Sequence, residues 1–186
     1  MPASDPPDLD RLHRAAPLAD LHVHPGLKPY LLGRSWSASG RTPARFDPFA
    51  ARATWPTLEA GGVGLVCLTH TVPERQLFED CPPLRWLAER ASPTWPWLTE
   101  GRPFDRLEEM LELAEIEVAR RPGWTLARDP AAMEAALEAG DRVAVHAVEG
   151  GQVLEGEVGR VEVLADRGVA MLTVGHLYPN AATGVV

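Results

Sequence analysis

The sequence predicts an α/β protein whose parallel sheet is covered by helices, and within that class a partial TIM-type (β/α) barrel comprising about the first half of the eight strands. Three observations lead there. Apolar runs of strand length without sustained alternation are separated by helical stretches, the pattern of strands buried on both faces. The first run closes on HVHPG, where an open doubly wound sheet carries a glycine-rich phosphate turn. The 186 residues, with four clear strands and long loops, fall short of the roughly 250 that a closed barrel typically takes.

Taken in order, residues 17–24 (PLADLHVH) form the first strand, alternating over their last half. Residues 25–54 abound in Pro, Gly, Ser and Arg and read as a long loop. A short helix starts near Trp55 and stops at Gly61-Gly62, and residues 63–69 (VGLVCLT) make the second strand. A Pro- and Trp-rich stretch then runs to Arg102. Residues 103–121 are the clearest helix, because Leu107, Met110, Leu111, Ala114 and Val118 recur at helical spacing. Pro122-Gly123 stops it, WTLAR is a short strand, and Asp129 caps the helix PAAMEAALEAG, which Gly140 ends. Residues 143–148 (VAVHAV) are the third main strand, Gly150-Gly151 a turn, 153–167 a helix, and 169–174 (VAMLTV) the fourth main strand. No composition shift divides the chain, so one domain over 1–186 is expected.

Bulk properties narrow the function classes. A net charge of −8 and the lack of any Lys/Arg-rich run argue against a nucleic-acid partner. The N-terminal stretch lacks a basic and an apolar signal region, and no run approaches a membrane span, so no membrane association and a cytoplasmic location are expected. Cys67 and Cys81 form no CxxC pattern and suggest no disulfide framework, which fits a reducing compartment.

The chemistry gathers at strand ends. His22 and His24, two apart on a strand, leave the same face, while Leu21 and Val23 point the other way to meet helices. At the C-terminal end of a barrel strand they lie at the active-site rim, and imidazole suits zinc and related ions. A pair of hydrogen-bonded, partly buried histidines has the same spacing. Glu149 adds weight to the metal reading, because it ends the third main strand on the same face as Val145 and Ala147, just before Gly150-Gly151. A glutamate there can also serve a helix N-terminus. His176 closes the fourth main strand in the same way, and His70 the second, where it lines the pocket or merely caps the strand. His146 has the opposite parity to Glu149 and belongs with the helices as a hydrogen-bonded core residue. Lys28, Tyr30, Trp36 and Trp55 could line a substrate entrance or pack their loop on the barrel, and Tyr178 and Asn180 are as consistent with turn chemistry as with function.

Three segments in this order, DLHVHPGLKPYLLG, VHAVEGG and GVAMLTVGH, resemble the membrane (renal) dipeptidase family, peptidase family M19 of the amidohydrolase superfamily, over about residues 18–180. The resemblance implies a metal-dependent hydrolase that cleaves dipeptides at a two-zinc site. His22 and His24 match the ligands from the first strand, Glu149 the carboxylate bridging both ions, and His176 the histidine that binds the substrate and polarises its carbonyl. One departure is plain: the family commonly has Asp where this chain has His24, although HxH occurs there in the wider superfamily. The family's further histidine ligands and catalytic aspartate lie on later strands. The expectation is therefore a truncated N-terminal half of the barrel, inactive alone, with a half-barrel completed by a second copy, as a homodimer, or by another chain, the other arrangement. Two rival functions accompany this reading: a superfamily hydrolase acting on lactones, phosphoesters or cyclic amides, and a non-catalytic barrel that binds metal or small molecules.

Overall fold

The computed structural model describes residues 11–12, 16–33, 36, 51, 53–96 and 100–183. Its sheet comprises β1 (Leu18–Val23), β2 (Val63–His70), β3 (Trp124–Leu126), β4 (Arg142–Glu149) and β5 (Val169–Thr173), and every pairing is parallel. β2 lies between β1 and β4. It takes one edge of β4 over residues 143–148, so β3 and β5 share the other, β3 beside 142–144 and β5 beside 146–149. β1, β2, β4 and β5 are thus laid side by side in chain order, with the short β3 along the start of β4. A doubly wound sheet reverses its order at a switch point, whereas a barrel adds strands in one direction. The protein is α/β with a partial (β/α) barrel.

The two faces of each strand have different partners. Val66, Leu68, Ala144 and Val148 bury against Leu107, Met110, Leu111, Ala114 and Val118 of one helix, Pro103–Ala119. Trp55 and Leu58, from the helix Trp55–Ala60, join the same layer, as does Leu164 from Gly159–Asp166. Leu107 and Leu111 are fully buried, which at about 1.5–3 kcal/mol each makes this layer the main source of apolar stabilisation. On the other face Cys67, Val143, Val145 and Ala147 cluster with Ala136, flanked by Ala132, Met133 and Leu137 of the helix Pro130–Glu138.

In chain order the helices are α1 (Leu27–Leu32), α2 (Trp55–Ala60), α3 (Arg75–Asp80), α4 (Pro82–Ala91), α5 (Pro103–Ala119), α6 (Pro130–Glu138) and α7 (Gly159–Asp166). Asp129 caps α6 as expected, its carboxylate accepting from the Ala132 amide at 2.8 Å. Three expectations need correction. The long loop of 25–54 contains α1, whose Pro29 sits in the first turn, where a missing N–H breaks no helical bond; most of the remaining loop lies outside the described residues. The Pro-rich stretch before Arg102 holds α3 and α4, and α4 accommodates Pro82 and Pro83 in the same manner. The helix expected from residue 153 begins only at Gly159. A 3₁₀ turn (Gly151–Leu154) precedes it, and Glu155 at φ 51° takes a left-handed conformation that no helix propagates through.

Both cysteines are free. Among the described residues no helix is long and apolar enough to cross a membrane.

Candidate metal centre

The end of β1 brings together His22, on the strand, and His24, just past it. Their Nε2 atoms lie 3.0 Å apart, with the rings edge to face. The strand is irregular on the way: Asp20 pairs with Val66 and Val23 with Leu68, so three steps on β1 match two on β2. Asp20 holds this bulge by accepting the His22 amide at 3.1 Å. Val23 is buried as expected, but Leu21 is 62% exposed, because the extra residue turns it away from the helical layer.

Glu149 reaches the same point from β4. Its Oε1 is 3.2 Å from His22 Nε2 and its Oε2 is 3.3 Å from His24 Nε2. Thr71 donates its hydroxyl to Oε2 at 2.9 Å. The two glycines that follow make the direction of Glu149 possible. Gly150 has φ 104°, and a Cβ on Gly151 would lie 2.6 Å from the Val174 carbonyl oxygen, which accepts the Gly151 amide at 3.0 Å. The end of β4 is thereby pinned to the end of β5, two residues before His176.

The donor set fits a cation. His24 Nδ1 faces the Thr69 carbonyl at 3.0 Å, and a carbonyl only accepts, so Nδ1 carries the proton and the neutral ring presents a lone pair at Nε2. Burial lowers the His24 pKa, opposed by Glu149 and the Thr69 bond, so the neutral ring is favoured near pH 7. A lone pair within 3.3 Å of a carboxylate and 3.0 Å of a second imidazole nitrogen is reconciled by a positive charge among them. The donor separations of 3.0–3.3 Å are near the edge, about 3.3 Å, of a tetrahedron with zinc bonds of about 2.0–2.1 Å. The ligand atoms of His22, His24 and Glu149 all lie within 4.8 Å of one another.

His176 stands at the same rim. Its Nε2 is 3.6 Å from Glu149 Oε2, and its Nδ1 is 3.1 Å from Glu74 Oε2. His22, His24 and His176 therefore converge on the Glu149 carboxylate. His70 does not join them. It pairs in register with Val148, shares the parity of His146, and meets His146 at 3.0 Å between Nε2 and Nδ1, on the helix side of the sheet. Burial drives both pKa values down, His146 to about 4. His146 Nε2 looks toward Glu115 of α5 at 3.7 Å, as its parity requires.

β2 and the segment after it contribute instead the Thr69 carbonyl, the Thr71 hydroxyl and Glu74, none of which was singled out in the sequence. Strand direction was the available signal, since whatever follows a barrel strand stands at the rim. The aromatic residues of the loop after β1 are core rather than entrance. Tyr30, Trp36 and Trp55 are buried, Trp36 stacks on Trp55, and the Tyr30 hydroxyl donates to the Met110 carbonyl at 2.6 Å. Lys28 lies on α1 beside Leu84 and Leu87 of α4. Asn180 ties a turn, accepting the Ala182 amide and donating to the Val174 carbonyl, and Tyr178 turns to Asp80.

Among solved structures, the chain is similar to a crystal structure described as the dipeptidase AC, a metallopeptidase of family M19, with a TM-score of 0.56 and 17% sequence identity. The match covers 84% of this chain and 43% of that one, so the chain spans less than half the length of its structural relative. At this identity the likeness is one of fold. No protein-family model and no curated protein matches the sequence.

Proposed function

We propose that the intact protein is a metal-dependent hydrolase of the amidohydrolase type that cleaves dipeptides or closely related small amides, with His22, His24 and Glu149 among its metal ligands. The expected metal is zinc, with two ions in the intact protein and Glu149 between them. The observation that carries the reading is the His24 lone pair, held by the Thr69 carbonyl, facing a carboxylate and a second imidazole. Support also comes from the structural relative, itself described as a metallopeptidase and a dipeptidase.

When bound, a divalent ion supplies a Lewis acid and a water of lowered pKa at neutral pH. The chain's own residues prepare the place. Thr71 fixes one Glu149 oxygen, the Thr69 carbonyl fixes the His24 ring, and His176 turns Nε2 toward the rim, where a substrate carbonyl oxygen can meet it. The ordered carboxylate and imidazoles lower the cost of reorganisation during the reaction.

The test is dipeptide hydrolysis by the intact protein. Activity should vanish on exhaustive chelation and return with Zn²⁺, and Glu149→Ala should abolish both tight zinc binding and turnover. Undiminished hydrolysis after rigorous metal removal would rule out this mechanism.

A further inference from the structure

Glu74 is a buried carboxylate, with only 3% of its side chain exposed, on the segment between β2 and α3. It makes two contacts with one short stretch of chain after β5. Oε1 accepts the Leu177 amide at 3.2 Å, and Oε2 faces His176 Nδ1 at 3.1 Å. An ionised carboxylate only accepts, so His176 keeps a proton on Nδ1 whether its ring is neutral or cationic. Nε2 is then the nitrogen turned to the rim, 3.6 Å from Glu149.

We infer that Glu74 is a positioning residue. It sets the tautomer and ring direction of His176 so that Nε2, and not Nδ1, meets the substrate. Its kinetic consequence rests on the hydrolase reading above. The backbone contact makes the device specific. Leu177 N–H demands an acceptor at Oε1, so a glutamine at position 74 must place its oxygen there and aim its amide donor at His176 Nδ1. Glu74→Gln therefore drives the proton of the neutral ring from Nδ1 to Nε2 with almost no change in volume, whereas Glu74→Asp keeps an acceptor and should restore the native tautomer in part.

The experiment is ¹⁵N NMR of the imidazoles in the zinc-loaded intact protein, with His176 assigned by its loss in His176→Gln. In the wild type the proton belongs on Nδ1, and in Glu74→Gln the two ring nitrogens should exchange their protonated and unprotonated shifts. Zinc stoichiometry should stay at the wild-type value, and kcat/KM for a dipeptide should fall about 10- to 100-fold, the range for losing a partner that orients a site histidine. A wild-type neutral ring protonated on Nε2 would overturn the inference without any variant. So would a Glu74→Gln protein with native ring shifts and native kcat/KM, or one that has lost zinc, since Glu74 would then be a ligand. If the wild-type protein hydrolyses no amide, the functional reading fails while the ring shifts still decide the role of Glu74.

Discussion

Two glycines decide where Glu149 points, and that makes them as consequential as the ligands. Gly151→Ala would drive a methyl to 2.6 Å from the Val174 carbonyl oxygen, so the ends of β4 and β5 must separate. We expect a loss of about 1–3 kcal/mol in denaturant unfolding, the usual cost of overpacking, together with weaker zinc binding; wild-type affinity in this variant would show that the strand junction does not orient Glu149. At this scale the sequence was legible where a strand fixed parity. Glu149 and His146, three apart on β4, leave opposite faces, Glu149 toward His22 and His24 and His146 toward the helices. Leu21 escaped that rule through the bulge at Asp20, and Thr71 and Glu74 escaped it because they follow a strand, where no period applies.

Among the elements, the long periodic helix was readable, and the helices inside the two Pro-rich stretches, 25–54 and the one before Arg102, were not. α5 shows its buried stripe over seventeen residues, so its existence and face follow from spacing alone. α1, α3 and α4 are short, and prolines in α1 and α4 suggest a loop although first-turn positions tolerate them. Contacts between elements were out of reach altogether. Glu59 at the end of α2 accepts from both Arg121 and the Trp124 indole, joining α2, the end of α5 and β3. The Arg121 hydrogen bond is the main cause holding the Glu59 pKa below its ordinary value of 4.5. A depressed carboxylate pKa gives stability that is present above 4.5 and lost as pH falls through the folded value. The pair is partly exposed, so Glu59→Gln should cost only about 1 kcal/mol at pH 7 in urea unfolding, and this difference should vanish in acid; an equal difference at pH 7 and pH 3 would contradict the clamp.

For the whole molecule, the order of β1, β2, β4 and β5 was foreseeable because the sequence lacks a phosphate turn after its first strand. The placement of β3 along the start of β4 was not, since three residues carry no pattern. The buried His70–His146 pair ties stability to pH across the sheet. Both rings are neutral in the fold, chiefly through burial, with His146 at about 4 against an ordinary 6.5. Between those values the unfolded chain binds the extra proton, so stability rises with pH through this window and is complete above 6.5. His146 alone accounts for about 3 kcal/mol lost on going from neutral pH to pH 4. The stability difference between wild type and His146→Leu should therefore shift toward the variant by that order as pH falls, and a difference independent of pH would contradict the neutral pair.

Zinc-edge anomalous diffraction from crystals of the zinc-loaded intact protein tests the metal centre most directly. It should show an ion bonded to Nε2 of His22, Nε2 of His24 and a carboxylate oxygen of Glu149, each at about 2.0–2.2 Å. Zinc bound elsewhere, with Glu149 still resting against two metal-free imidazoles, would contradict it.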